Sequence, residues 1–377
     1  MTFSANDHQL MARALQLAEQ GMNSTMPNPR VGCVIVKNGK IVGDGAHLKA
    51  GYAHAEIFAL QQAAGHTNGA TAYVTLEPCN HTGRTPPCTQ ALIHAGITNV
   101  IIAMHDPNPL VAGSGIAYLQ AQGITVQTGL MQTQAQVINP GFISRMTTNK
   151  PFVRCKIAAS LDGKTALNNG ESQWITSEPA RLDVQHWRAR SCAILTGIGT
   201  VLADNPSMTV RDIPIDRQPL RVIVDSQLQI SPEANILKNG HALIAFACDN
   251  EQGEAKKITQ QLLATGAQLI KLSNNIGSVC LKRLLSHLAG LQMNEVLVEA
   301  GGTLNGALLS QNLIDELLIY YAPKLMGSAA KSLFALPELT SMNQAITLEL
   351  LDVRQIGIDL RLRAKPIYAD ANVQIES

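Results

Sequence analysis

Short apolar runs alternate with stretches of helical periodicity along nearly the whole chain, which restricts it to sheets flanked by helices. Near the start, Leu10, Met11, Ala14, Leu15 and Ala18 recur at helical spacing. Residues 31–36, then Asn38-Gly39, then 41–42 read as a hairpin with a type I′ turn, since both turn positions tolerate positive φ. Helical 54–64, strand-like 71–76, helical 87–95, strand-like 99–104 and helical 114–122 follow, so a largely parallel sheet is expected.

The pattern continues through strand-like 152–157, 193–195, 220–224, 242–247, 268–271, 295–298 and 316–321, with helical stretches such as 178–190 and 278–290 and two strands near 347–363. Charge divides the chain in two. Residues 1–149 hold 7 Lys+Arg, 6 Asp+Glu and 7 of the 10 histidines, whereas residues 150–377 hold 29 − 7 = 22, 28 − 6 = 22 and 3. The polar stretch Thr147-Thr148-Asn149-Lys150-Pro151 is the expected seam, giving modules 1–149 and 150–367 and a loose tail over 368–377.

A net charge of +1 lacks the electrostatic footprint of a nucleic-acid binder, so small substrates become the default. No apolar run approaches the ~18 residues of a membrane span, and the N-terminus opens into an amphipathic helix instead of a signal peptide. A cytoplasmic address without membrane association is expected. The seven cysteines, Cys33, Cys79, Cys88, Cys155, Cys192, Cys248 and Cys280, are odd in number and scattered, a poor disulfide framework, so clustered ones are metal ligands or nucleophiles first.

One cluster stands out: His54-Ala55-Glu56, with Pro78-Cys79 and Cys88 inside EPCNHTGRTPPC. One imidazole and two thiolates suit tetrahedral Zn²⁺ and leave a fourth position for water. On a regular helix two residues turn through about 200°, so His54 and Glu56 face one metal only if His54 lies just outside the helix. Cys88 follows Pro86-Pro87 and opens a helix pattern whose positive end favours its thiolate. Zinc in such a site lowers the pKa of its water, and a carboxylate that is not a ligand, Glu56, can carry the proton to a leaving amine. That is the chemistry of hydrolytic deamination at an amidine-like ring carbon. The alternative is a closed structural zinc with His81 as fourth ligand. His47, His66, His94 and His105 read as surface or core histidines.

The H-x-E element followed by a Pro-Cys resembles the zinc deaminases, but with Pro78-Cys79-x₈-Cys88 in place of the shorter P-C-x-x-C. That spacing, with Pro27-Asn28-Pro29-Arg30-Val31-Gly32, TLEPCNHTGRTPPC and Asp106-Pro107-Asn108-Pro109, is similar to the deaminase half of the bifunctional pyrimidine deaminase/reductases of riboflavin biosynthesis. The resemblance implies a cytidine-deaminase-like three-layer N-terminal domain that removes the 2-amino group of a diaminopyrimidine nucleotide. It implies His54, Cys79 and Cys88 as zinc ligands, Glu56 as proton shuttle and Asn28 as a substrate contact. Asn28 is equally readable as a turn residue between two prolines.

In the second module, Val296-Leu297-Val298-Glu299-Ala300-Gly301-Gly302-Thr303-Leu304 runs from strand through glycines into a helix pattern, a cradle for phosphate or merely a turn. Thr196-Gly197-Ile198-Gly199-Thr200 lacks the third glycine of a dinucleotide fingerprint, Leu202 standing in its place, so no Rossmann fold is assigned. Lys156-Ile157-Ala158-Ala159-Ser160-Leu161-Asp162-Gly163-Lys164, Ser172-Gln173-Trp174-Ile175, Asp204-Asn205-Pro206 and Arg211 resemble the reductase half of the same family. This implies a C-terminal dihydrofolate-reductase-like domain that uses NADPH to reduce the ribosyl group to ribityl.

Matching positions place Ala158, Trp174, Thr200, Asp204, Ser226 and Gly301, Gly302, Thr303, Leu304, Asn305, Gly306 and Ala307 at NADPH, and Ser172, Arg188, Met208, Arg211 and Glu299 at the substrate. Arg188 and Arg211 have the chemistry to hold a phosphomonoester, and Trp174 can stack on a ring. The alternatives are an exposed Arg188 paired with Asp183 or Glu178, and a Trp174 in the core. Asp204 and Glu299 are the carboxylates expected at the ribose, relaying a proton, unless Asp204 caps a turn and Glu299 anchors the glycine loop.

A small pyrimidine nucleotide substrate, Zn²⁺, NADPH and a homo-oligomer, a dimer first, complete the expectation. The competing readings are a zinc deaminase of another nucleotide with an accessory nucleotide-binding domain, and a zinc-stabilised interaction protein without catalysis.

Overall fold

The computed structural model describes residues 2–80, 87–109, 111–249 and 252–368. The chain divides into two compact units, Met1–Pro151 with Gln292–Asn294, and Phe152–Leu291 with Glu295–Ser377. His81, the alternative zinc ligand, and residues 369–377 of the expected tail lie outside the described residues. Tyr368, also assigned to the tail, is tied down: its hydroxyl donates to the Ile314 carbonyl at 2.7 Å.

The first unit runs α1 (Ala5–Glu19), β1 (Gly32–Lys37), β2 (Lys40–Ala46), α2 (Ala55–Gln62), β3 (Thr71–Leu76), α3 (Cys88–His94), β4 (Asn99–Met104), α4 (Ser114–Ala121), β5 (Thr125–Thr128), α5 (Gln132–Ile138) and α6 (Pro140–Thr148). A capping box starts α1, the Ser4 hydroxyl accepting from the Asp7 N–H and the Asp7 carboxylate accepting from the Ser4 N–H. Asn38 and Gly39 turn β1 into β2 with φ of 52° and 73°.

The sheet order is β2-β1-β3-β4-β5. It is mixed, not largely parallel: β1 pairs antiparallel with both β2 and β3, and only β3-β4-β5 are parallel. The hairpin reverses the chain before the first crossover, and helix–strand alternation alone does not register that reversal.

Glycines set the layers. A Cβ on Gly32 would lie 1.9 Å from the Ala14 carbonyl oxygen, and one on Gly43 2.2 Å from that of Ala59, so α1 and α2 rest directly on strand backbone. Gly43 is paired with Ile35, which faces opposite to Gly32 along β1, so the two helices cover opposite faces. Buried Met11, Ile35, Leu92, Ile102 and Leu119 fill the core of the layers.

The second unit runs β6 (Phe152–Ser160), β7 (Lys164–Ala166), α7 (Glu178–Arg190), β8 (Ala193–Gly197), α8 (Ile198–Asp204), β9 (Leu220–Val224), β10 (Ala242–Phe246), α9 (Gly253–Ala264), β11 (Gln268–Lys271), α10 (Leu281–Gly290), β12 (Glu295–Val298), α11 (Gly302–Ser310), β13 (Glu316–Ala322), β14 (Lys331–Ser332), β15 (Thr347–Ile356) and β16 (Asp359–Ile367). The main sheet has the order β11-β10-β9-β8-β12-β6-β13-β16-β15, parallel from β11 to β13 and antiparallel over β13-β16-β15.

At the N-terminal ends of its central strands, buried Arg154 donates to Glu316 at 3.0 Å and to Glu295 at 3.0 Å, while Arg190 and Arg363 reach the same two carboxylates. A buried charge is tolerable only when paired in this way, so the ionic cluster pins the strand starts and leaves their opposite ends for binding.

Replacing Gly32 with Ala is expected to destabilise the chain by roughly 1–3 kcal/mol, because the methyl group would have to push α1 off the sheet. Chemical denaturation followed by far-UV circular dichroism measures it. Unchanged stability would show that α1 does not rest on β1 backbone.

Candidate active sites

In the first unit the metal-ligand candidates come from three separate elements. His54 is the N-cap of α2, with extended backbone (φ −76°, ψ 164°), Cys79 follows β3, and Cys88 is the first residue of α3 after Pro87. His54 therefore turns away from helical geometry while Glu56 is already inside the helix, and both face one point. The ring Nδ1 of His54 lies 3.3 Å from Cys88 Sγ and 3.6 Å from Cys79 Sγ, and the three donor atoms are all within 4.8 Å of one another. Tetrahedral zinc with bonds of about 2.0–2.3 Å needs donor separations of that size.

The donor chemistry fits as well. A hydrogen bond from Cys88, with His54 adding to it, brings the Cys79 thiol down to about 4, and the same contact pushes Cys88 well above the usual thiol range. Three donors competing for protons at one point are what a divalent cation relieves by displacing those protons. Burial raises the Glu56 carboxyl to about 7, the nearby Cys79 sulfur contributing to the rise. The neighbouring His54 and a hydrogen bond with Cys88 pull the other way without offsetting that rise.

Asn28 is attached to this centre through His47. The Ala53 carbonyl can only accept, so His47 Nδ1–H donates to it at 3.0 Å, leaving Nε2 to accept from Asn28 Nδ2 at 3.1 Å. The His47 ring packs edge-on against His54 with centroids 5.2 Å apart, and burial pushes its pKa below the ordinary value. Asn28 is thus no mere turn residue: its amide is oriented, with the carbonyl oxygen turned away from His47.

In the second unit, β8 and β12 are neighbours whose following segments depart in opposite directions, β8 to β9 on one side and β12 to β13 beyond β6 on the other. Ligands of open α/β sheets bind at such a switch point, outside the carboxyl ends of the strands. Gly197 and Gly301 are the N-caps of α8 and α11 there, neither bringing a side chain to its helix start. A Cβ on Gly197 would stand 3.4 Å from Leu304 Cδ2, so the two helix starts flank one crevice. Buried Asn305 Oδ1 has no hydrogen-bond partner, and its Nδ2 holds the Ala300 carbonyl at 3.0 Å. Two helix starts free of side-chain caps and an unpartnered polar atom suit a dinucleotide phosphate and its neighbouring hydroxyls.

Beside the crevice Arg188 grips Glu299 with two hydrogen bonds of 2.6 and 3.0 Å, donates to the Thr209 carbonyl at 2.9 Å and lies 3.9 Å from Met208 Sδ. Lys156 Nζ is 3.6 Å from the same carboxylate. Arg188 is therefore a half-buried partner of Glu299, not an exposed partner of Asp183 or Glu178. Although burial opposes it, the charges of Arg188 and Lys156 bring the Glu299 carboxyl down to about 2.

Trp174 is 63% exposed, which overturns its reading as core, and the Arg181 guanidinium lies 4.7 Å from its ring centroid. Ser172 is half-buried in the loop before α7, and Arg211 is exposed with its backbone N–H donating to Gln185 of α7 at 2.9 Å. Ala158 lies on β6 and Thr200 in α8. Asp204 is exposed at the last residue of α8, and Ser226 follows β9 with its hydroxyl accepting from the Val279 N–H at 3.1 Å.

Comparison with known proteins agrees with both halves. The model of the RibD C-terminal domain family matches residues 151–362, and that of the cytidine and deoxycytidylate deaminase zinc-binding region matches residues 4–104. The riboflavin biosynthesis protein RibD of Escherichia coli is 46% identical over 94% of this chain and 98% of its own length. The chain belongs to the RibD family. The RibD structure from Acinetobacter baumannii superposes with a TM-score of 0.89 at 44% identity, covering 96% of this chain and 99% of that one. A Thermotoga maritima structure, described as a diaminohydroxyphosphoribosylaminopyrimidine deaminase/5-amino-6-(5-phosphoribosylamino)uracil reductase, gives 0.84 at 31% identity over 96% and 99%. As in that family, a cytidine-deaminase-like domain is followed by a dihydrofolate-reductase-like one.

Sequence reasoning gave no role to His47, Lys156 or Glu77. Lys156 and Glu77 act through partners distant in the chain and His47 through Ala53 and Asn28, and only Glu77, directly before Pro78-Cys79, had a positional hint.

Glu299 gives a pH signature. Because its folded-state pKa is depressed, its contribution to stability is present above the unfolded value near 4.5 and is lost as pH falls through about 2. Glu299→Gln, which leaves Arg188 without its charge partner, is expected to cost about 3–5 kcal/mol at neutral pH. Denaturation curves at several pH values should show the gap from wild type narrowing below about pH 4.5. A gap independent of pH would contradict the ion pair.

Proposed function

We propose that the chain catalyses two consecutive steps of riboflavin biosynthesis. The first is hydrolytic removal of the 2-amino group from 2,5-diamino-6-ribosylamino-4(3H)-pyrimidinone 5′-phosphate, and the second is NADPH-dependent reduction of the ribosyl side chain to ribityl. The product is 5-amino-6-ribitylamino-uracil phosphate. The observation that carries this reading is the convergence of His54, Cys79 and Cys88 beside a buried Glu56, on one chain with a RibD reductase domain. A zinc deaminase of another nucleotide with an accessory domain is not favoured, because the relatives match over both halves.

His54, Cys79 and Cys88 hold the zinc, which when bound supplies an acidified water as nucleophile. Glu56 is the group that would hold a proton and pass it to the departing amine, a task suited to a buried carboxyl raised to about 7. Asn28, oriented by His47, contacts the pyrimidine ring. In the reductase module, Ala158, Trp174, Thr200, Ser226 and residues 301–307 bind NADPH, which supplies the hydride. Ser172, Arg188, Met208 and Arg211 bind the substrate, with the exposed Arg211 reaching the phosphate.

Glu299 stays ionised through neutral pH, so it positions Arg188 and Lys156 and accepts from a ribose hydroxyl instead of donating a proton. Asp204 is the second carboxylate assigned to the ribose. The deaminase module spans 1–149 and the reductase module 150–367.

The enzyme works in the cytoplasm as a homodimer. Seven unpaired cysteines suit a reducing compartment. For the dimer, β15 is an edge strand with Leu348, Leu350, Leu351 and Val353 exposed, beside exposed Leu360 of β16. A long apolar edge is a template for pairing with a second copy.

His54→Ala, Cys79→Ala and Cys88→Ala are each expected to lose zinc and deamination together while reduction of already deaminated substrate persists. Glu56→Gln should keep zinc yet lose several orders of magnitude in deamination, since the amide is near-isosteric but cannot move a proton. Metal analysis and ammonia release on the same samples read both. Full deamination by a zinc-free variant would sink the metal mechanism, and loss of zinc from Glu56→Gln would make Glu56 a ligand.

A further inference from the structure

The Glu77 carboxylate is fully buried, its side chain showing 0% exposure, and it is not one of the three metal-ligand candidates. It collects four backbone N–H groups from residues far along the chain: Asp106 at 3.2 Å and Gly113 at 3.0 Å on Oε2, Gly115 at 2.9 Å and Ile116 at 3.4 Å on Oε1. Three of these donors lie at the N-terminal end of α4, where a helix leaves its N–H groups without internal partners and favours negative charge. Its own backbone N–H donates to the Met104 carbonyl at 3.1 Å, extending the β3–β4 ladder. Glu77 is therefore held at both its main chain and its carboxylate.

Pro78 alone separates Glu77 from Cys79, and its ring fixes φ, so the connection is stiff. The Pro78 carbonyl oxygen sits 2.1 Å from where a Cβ on Gly115 would be, an approach that only glycine permits. Beyond the cysteine, the Cys79 carbonyl accepts from the Thr89 N–H at 3.2 Å. Asn80 Oδ1 accepts from the Thr89 hydroxyl at 2.9 Å, and Asn80 Nδ2 donates to the Ser114 carbonyl at 3.4 Å. The Cys79 segment is suspended between α3, which carries Cys88, and the start of α4, which Glu77 grips.

We propose that Glu77 is a positioning residue of the deaminase: by clamping Asp106 and the start of α4 it sets the place of Cys79 Sγ relative to His54 and Cys88, and so the hold on zinc. This rests on the assignment of Cys79 as a zinc ligand. The site demands an acceptor at both oxygens, since every partner is a donor. A glutamine at this position would aim its own N–H group at a backbone N–H, leaving buried donors unpaired.

The test uses the full-length, zinc-loaded chain, whose reductase activity on deaminated substrate serves as an internal standard for folded protein. Glu77→Gln is expected to release zinc to a colorimetric chelator about tenfold or more faster than wild type and to lose a similar factor in deamination kcat, the usual range for groups that orient metal ligands. KM for the diaminopyrimidine nucleotide and the reductase turnover should stay close to wild type. Glu77→Asp, which keeps the charge but shortens the reach, should fall between the two and replaces the Gln variant if that one does not fold. Zinc release and kcat at wild-type values in a folded variant would overturn the proposal, leaving Glu77 with a stability role only. Cys79→Ser measured alongside separates the two ideas, because retention of zinc there overturns the ligand assignment and not the clamp.

Discussion

A carboxylate taken out of water must either find positive charge and N–H donors or pick up a proton, and each half of this chain uses that choice. Glu56, Glu77 and Glu299 are all buried, yet their surroundings differ. Glu56 has the Cys79 sulfur beside it and rises to about 7; Glu299 has Arg188 and Lys156 and falls to about 2. Glu77 has four backbone N–H groups. One residue type thus meets three surroundings: a sulfur, two cations and a row of backbone N–H groups. Pushing carboxylates apart in this way is how one protein runs acid–base chemistry and ionic recognition side by side.

The folds place these groups where binding is possible. In the first unit the ligand-bearing positions are the starts of α2 and α3 and the end of β3, so three short stretches converge although the chain between them is long. In the second, an ionic cluster around Arg154 closes the N-terminal ends of the central strands, and the glycine-capped starts of α8 and α11 open at the other end. In both units the candidate site residues gather mainly at helix starts.

The grouping of His54, Cys79 and Cys88 beside Glu56 was readable from the amino-acid sequence because metal chemistry demands particular residue types, and the helix-start requirement on His54 followed from rotation per residue. The α/β character and most strand positions followed from apolar spacing, and the β1–β2 hairpin from Asn38-Gly39, whereas the antiparallel pairing of β1 with β3 did not, since pairing direction depends on where the chain crosses over. Reductase residues came through family resemblance and not through spacing. Arg188 illustrates why: its partner Glu299 lies 111 residues away, so the sequence neighbours Asp183 and Glu178 were the natural but mistaken candidates. Smaller separations, 38 residues between Glu77 and Gly115 and 19 between Asn28 and His47, were enough to hide the clamp at Glu77 and the bond by which His47 orients Asn28.

The account rests on two ordered reactions by one chain, and coupled product measurement tests that most directly. With zinc-loaded protein and the diaminopyrimidine nucleotide, ammonia should be released whether or not NADPH is present, and NADPH should be oxidised mole for mole with ammonia and never ahead of it. Oxidation of NADPH without prior ammonia release, or ammonia release that requires NADPH, would contradict it.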